Sequence, residues 1–95
     1  MIIVNFNIDN KSGVPYYRQI IEQVKYGISR GELKPGDRLP TVRQLAVDLS
    51  VNPNTIIRAY REMEIEDVLE THQGSGTFVG SRKPEIDELE RQRML

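Results

Sequence analysis

Arg43, Asn54, Ile57, Arg58 and the pair Gly74 and Gly76 are the residues of this 95-residue sequence whose types and spacing suit chemistry on a surface rather than in a cleft. Arg43 falls in the first turn of an expected helix, where the helix dipole disfavours a cation. That local cost makes sense if the guanidinium reaches a phosphate or a guanine edge; an ordinary solvated arginine is the alternative. The Asn54 carboxamide suits adenine or a phosphate. Ile57 suits a thymine methyl group, or else partial burial in the core. Arg58 and Arg61 suit phosphates, although an ion pair on a solvated face is the favoured reading for Arg61. Glycines at 74 and 76 let a loop approach a phosphate or a minor groove without a Cβ clash, though any hairpin tip also calls for glycine.

The rest of the inventory argues against catalysis. There is no cysteine, so disulfides, thiolate zinc sites and a cysteine nucleophile are excluded. The single histidine, His72, excludes a histidine-rich metal site and argues against a Ser-His-Asp arrangement, and it reads best as a solvent-exposed strand residue. Gln73-Gly74-Ser75-Gly76 lies in an expected hairpin, not at a strand-to-helix turn, so it lacks the setting of a nucleotide loop. No enzyme, cofactor or metal site is expected.

The elements that must position these residues follow from local patterns. Residues 2 to 8 alternate, with Ile2, Val4, Phe6 and Ile8 on one side, which predicts a strand. After the break Asp9 to Gly13, Pro15 suits the first turn of a helix. Tyr17, Ile20, Ile21, Val24 and Ile28 give that helix one apolar stripe, and Gly31 ends it. Leu33 is expected to fold back on the core, and Lys34-Pro35-Gly36-Asp37 is a tight turn. Thr41-Val42-Arg43-Gln44 is a capping box that starts a short helix carrying Val42, Leu45, Ala46 and Leu49. Ser50-Val51 connects to a third helix, with Asn52 as its cap and Pro53 in its first position. Its buried face is Ile56, Ala59, Tyr60 and Met63; its outward face is Pro53, Asn54, Ile57, Arg58 and Arg61. Val68 to His72 and Thr77 to Val79 form a hairpin around the glycine loop. A further helix is expected from about Pro84, with a narrow apolar stripe of Ile86 and Leu89. Tyr16, Tyr17, Tyr26 and Tyr60 read as core or edge packing. The expected fold is mainly α with a small β-hairpin: a three-helix core plus wing, an N-terminal strand and a C-terminal helix, the order of a winged helix-turn-helix.

Three blocks carry a resemblance. G-E-L-K-P-G-D-R-L-P-T-V-R-Q-L-A (Gly31 to Ala46), V-N-P-N-T-I-I-R-A-Y-R-E-M-E (Val51 to Glu64) and Q-G-S-G-T-F-V (Gln73 to Val79) resemble the DNA-binding domain of the GntR family of bacterial transcriptional repressors. The likeness covers about residues 14 to 80. The preceding strand, S-G-V-P-Y-Y-R-Q-I and the helical tail resemble the YtrA-like subfamily, whose members lack a large ligand domain. The MocR subfamily shares the blocks but fuses them to an aminotransferase-like domain, which nothing here supports. The resemblance implies DNA contacts at Arg43, at Asn52, Asn54 and Thr55, and at Gln73, Gly74, Ser75 and Gly76. With Arg38, Thr41, Ile57 and Arg58 these complete the candidate interface; Thr41 reads first as a cap. One departure is Asp67, where the family commonly has glycine. The position suggests a left-handed turn, which Asp tolerates better than most residues.

Charge and size set the rival readings. The formal net charge is −1, which by itself argues against nucleic acid. Its distribution argues otherwise: residues 11 to 61 carry nine bases and four acids, while residues 62 to 70 carry five acids and no base. The leading expectation is a sequence-specific DNA-binding repressor, a homodimer on an inverted repeat in double-stranded DNA. The domain would span residues 1 to 82, with 83 to 95 beginning a dimerisation segment. The alternative is a winged helix that binds a protein partner and has lost DNA. No run of apolar residues suits a membrane span, and the N-terminus lacks a basic signal-peptide region, so the expected location is cytoplasmic. The C-terminal region is too short to enclose a metabolite, so no small-molecule pocket is expected.

Overall fold

In a computed structural model the described residues are 6 to 81. Three helices come first: α1 (Tyr16–Ser29), α2 (Val42–Leu49) and α3 (Pro53–Ile65). An antiparallel hairpin follows, β1 (Leu69–His72) and β2 (Gly76–Val79). The expected C-terminal helix and residues 2 to 5 of the expected strand lie outside the described residues.

The helices start where side-chain chemistry starts them. Thr41 Oγ1 accepts the Gln44 N–H at 3.1 Å, and Gln44 Oε1 accepts the Thr41 N–H at 3.2 Å, closing the capping box of α2. Asn52 Oδ1 accepts the Asn54 N–H at 2.8 Å, with Pro53 in the first turn of α3. Pro15 sits one residue earlier than a first-turn proline, at the N-cap of α1. Ser50 ends α2 in the left-handed conformation at φ 56°, and Val51 donates back to the Ala46 carbonyl at 3.0 Å. This short elbow fixes α3 against α2. Asp67 takes φ 65° between α3 and the wing, the left-handed turn expected there.

One core joins all five elements. It holds Ile20 and Val24 of α1, Leu33, Leu39, Leu45 and Ala46, then Ile56, Ala59, Tyr60 and Met63 of α3, and Leu69 and Val79 of the wing. Leu33 folds inward as expected. The Tyr60 hydroxyl donates to the Pro40 carbonyl at 2.7 Å, tying α3 to the approach to α2.

Two features differ from the sequence reading. Residues 6 to 9 form no strand. The alternation is real, since Phe6 and Ile8 are half-buried against the core while Asn7 is exposed. The partner, however, is a helix. Gln23 of α1 exchanges two hydrogen bonds with the Asn7 backbone at 2.9 and 2.6 Å, and Gln19 does the same with Asp9 at 2.9 Å each. Side-chain amides one turn apart thus satisfy backbone groups that a strand edge would otherwise take. The second feature is a third rung on the wing. Val79 donates to the Asp37 carbonyl and Leu39 to the Thr77 carbonyl, both at 2.8 Å, so Arg38 bridges Phe78 across β2.

Candidate nucleic-acid interface

The outward face of α3 is open. Pro53, Asn54, Ile57, Arg58 and Arg61 are exposed, with Ile57 at 40%. The Asn54 carboxamide makes no hydrogen bond to another described residue, so among them its donor and acceptor are uncommitted. Asn52 is partly committed: its Oδ1 caps α3, which leaves only the donor end of its amide. Thr55 is half-buried, and its N–H donates to the Asn52 carbonyl at 2.9 Å.

Arg58 is held from two sides. Its Nε donates to Glu62 at 3.2 Å, and its Cζ lies 3.8 Å from the centroid of the Tyr17 ring on α1. The ion pair expected at Arg61 therefore forms at Arg58 instead, while Arg61 makes none with another described residue. Four-residue spacing carried the signal: Arg58 meets Glu62, whereas Arg61 meets Ile57 and Ile65. Tyr17, read as core or edge packing in preference to a base-stacking platform, also serves as a platform for a cation.

Arg43 stands exposed near the start of α2, with no hydrogen bond or ion pair to another described residue. The Thr41 oxygen is occupied by its cap, as its first reading held.

At the wing, the tip is Gln73, Gly74 and Ser75, all exposed, closed by the Ser75 N–H donating to the His72 carbonyl at 2.9 Å. Gly76 lies in β2 rather than in the turn. Arg38 and Gly76 come together: a Cβ on Gly76 would sit 3.1 Å from Arg38 Nε. The bridge to Phe78 delivers Arg38 to this place, and no local sequence signal announces it. His72 is structural in character, its ring 5.4 Å from that of Phe78 and its Nε2 3.3 Å from Glu70. The Ser81 backbone N–H holds the Glu70 carboxyl below its ordinary pKa, with burial opposing and His72 assisting. The Thr71 hydroxyl donates to Glu64, linking the wing to the rear of α3.

No group of three or more histidine, cysteine or acidic side chains placed to hold a metal occurs among the described residues. None of the described helices is long and apolar enough to cross a membrane.

Three helices, a tight elbow before the third and a hairpin beside it define a winged helix-turn-helix regulator. Residues 16–79 match the family described as bacterial regulatory proteins, gntR family, and the chain belongs to it. It is a YtrA-like transcriptional regulator. It is 49% identical over 72 residues to the HTH-type transcriptional repressor YtrA of Bacillus subtilis, covering 76% of this chain and 55% of that one. It is 48% identical over 84 residues to the uncharacterized HTH-type transcriptional regulator YhcF of the same organism, covering 86% and 69%. The structure of YtrA from Sulfolobus acidocaldarius, a GntR-family transcription factor, matches with a TM-score of 0.74 at 34% identity, over 94% of this chain and 93% of that one. The DNA-binding domain of AraR, solved in complex with operator ORX1, matches with a TM-score of 0.67 at 28% identity, over 78% and 89%.

Proposed function

We propose that this chain represses transcription by binding a specific site in double-stranded DNA, with α3 in the major groove and the wing against the backbone. The observation that carries the reading is the open face of α3: an uncommitted carboxamide at Asn54, an exposed aliphatic side chain at Ile57, and Arg58 and Arg61 behind them. Asn54 reads adenine and Ile57 packs on a thymine methyl. Asn52 donates to a phosphate through its free amide end. Arg38, Thr41, Arg43 and Thr55 approach from the start of the helix-turn-helix, and Gln73, Gly74, Ser75 and Gly76 from the wing. The AraR neighbour, solved with its operator, supports this docking, and the YtrA relative supports a repressor.

A single domain reads few base pairs, so the active form is a homodimer on an inverted repeat, assembled through residues 83 to 95. Such a protein works without a cofactor, in the cytoplasm, where it meets the chromosome.

Selection of bound duplexes from a random library, followed by titration of the winner, tests the reading. The selected site is expected to be an inverted repeat. Arg43→Ala is expected to cost roughly 1–3 kcal/mol of specific binding. An unchanged affinity removes Arg43 from the interface, and failure to enrich any sequence removes specific DNA binding, leaving a protein-interaction module.

A further inference from the structure

The geometry points to Tyr17 as a positioning residue that holds the Arg58 guanidinium as a phosphate-contacting plate beside α3, an inference that rests on the DNA-binding reading above. Arg58 lies on the outward face of α3, with its side chain 61% exposed. Its Cζ lies over the Tyr17 ring, 3.8 Å from the centroid. Tyr17 itself is half-buried and packed against the core, so α1 fixes the platform from outside the recognition helix. The Nε edge is occupied by Glu62 at 3.2 Å.

These two contacts hold the group from two sides. They leave its two terminal amino groups, the donors that suit two oxygens of one phosphate. A solvated arginine would have to be ordered on binding; this one is ordered beforehand, which reduces what DNA contact costs. A lysine in its place would keep the charge but lose both the stacking plane and the paired donors. The competing account is a clamp that only fastens α1 to α3. It predicts lost stability without any change in the electrostatics of binding.

The test uses the whole chain and a fluorescein-labelled duplex of mixed sequence, because phosphate contacts do not depend on sequence. Anisotropy titrations across a series of salt concentrations are paired with thermal melts of each variant. Arg58→Ala is expected to make the plot of log affinity against log salt shallower by about 0.9, one phosphate's worth. Tyr17→Leu is expected to weaken binding about two- to five-fold, the worth of an exposed cation–π contact. Tyr17→Phe, which keeps the ring, is expected to restore it. In the Arg58→Ala background, Tyr17→Leu is expected to have no further effect on affinity, a result that a structural role alone would not give. A wild-type salt slope for Arg58→Ala overturns the proposal, as do equal losses from Tyr17→Leu in both backgrounds. A lowered melting temperature with unaltered binding assigns the pair to the clamp. If the unaltered chain shows no salt-dependent binding, the DNA-binding reading fails and this proposal falls with it.

Discussion

The guanidinium of Arg38 lies so close to Gly76 that a Cβ built on the glycine would stand 3.1 Å from Nε and 3.4 Å from Nη2. The two residues meet because the segment before α2 pairs with β2 at Phe78, so the Arg38 side chain is laid beside the tip end of the wing. Gly76 also sits at φ +125°, where side chains are rarely tolerated.

Gly76→Ala is therefore expected to act twice. Backbone strain should lower stability by something on the order of 1–3 kcal/mol. The new methyl should also push the Arg38 guanidinium aside by a few tenths of an ångström and so weaken binding to duplex DNA. Gly36→Ala is the comparison, because Gly36 has φ +91° but no atom within 4 Å of an added Cβ. It should lose stability alone. Equal affinities of the two variants, measured well below their melting temperatures, would separate Arg38 from Gly76 functionally.

Ser50 offers the opposite case, a strained residue that glycine should relieve. It holds φ 56° and ψ 44° at the elbow between α2 and α3. A non-glycine residue there costs roughly 1–2 kcal/mol. Glycine removes that cost but enlarges the freedom of the unfolded chain by about 0.4–1 kcal/mol. Ser50→Gly is expected to gain about 0.5 kcal/mol as the balance of those terms. Ser50→Val should lose stability, since a β-branched side chain fits the left-handed region worst. Urea midpoints at constant slope report both changes; a Ser50→Gly midpoint below wild type would contradict the strain.

The parts of this fold written in neighbouring residues were legible in the sequence. Thr41 with Gln44, and Asn52 with Pro53, start α2 and α3 where their side chains reach free N–H groups, three and two residues on. Asp67 marks its left-handed turn in the same local way. What was not legible depends on contact across the fold. The alternation of Phe6 and Ile8 identified the buried side but not the partner, since nothing local says that Gln19 and Gln23 will present amides to a passing backbone. The rung at Arg38 is a single bridge, too short for any periodicity. The Tyr17 platform joins two helices whose relative position only the packed core decides. On the candidate face of α3, by contrast, a helical period was enough to sort Ile57 from Ile56.

Gln19 is the buried polar residue of the described core, at 8% exposure. Its amide donates to the Asp9 carbonyl, the Val14 carbonyl and Ser12 Oγ at 2.9, 2.9 and 3.2 Å, and its oxygen accepts the Asp9 N–H at 2.9 Å. Gln19→Leu keeps the volume but strands these groups. The partners sit on exposed or half-buried residues that water can reach, so each lost hydrogen bond is expected to cost about 0.5–1.5 kcal/mol. Because the affected groups lie on the segment before α1, that segment should detach before the core unfolds. Hydrogen exchange at the Asp9 amide is expected to accelerate strongly, while the amides of Ala59 and Met63 in α3 change only by the global loss. Unchanged protection at Asp9 would show that Phe6 and Ile8 hold the segment unaided.

Tyr60 ties stability to alkaline pH. Its hydroxyl donates to the Pro40 carbonyl at 2.7 Å, and burial pushes the phenol's pKa well above its ordinary value. An unfolded tyrosine ionises near about pH 10. Below that value both states keep the proton, and the stability associated with the neutral buried phenol is fully present. As pH rises beyond it, the unfolded chain gives up the proton while the folded chain retains it, so stability falls until the folded group ionises too. Melting temperatures measured from about pH 8 to about pH 11 should therefore decline for the wild-type chain. Tyr60→Phe should begin lower, by about 0.5–1.5 kcal/mol for the lost hydrogen bond, and decline less steeply. The other tyrosines titrate in both proteins, so the difference between the two curves isolates Tyr60. Parallel curves would mean that water reaches the phenol in the folded chain, and that the Pro40 contact is more open than its 2.7 Å distance and the burial of the ring indicate.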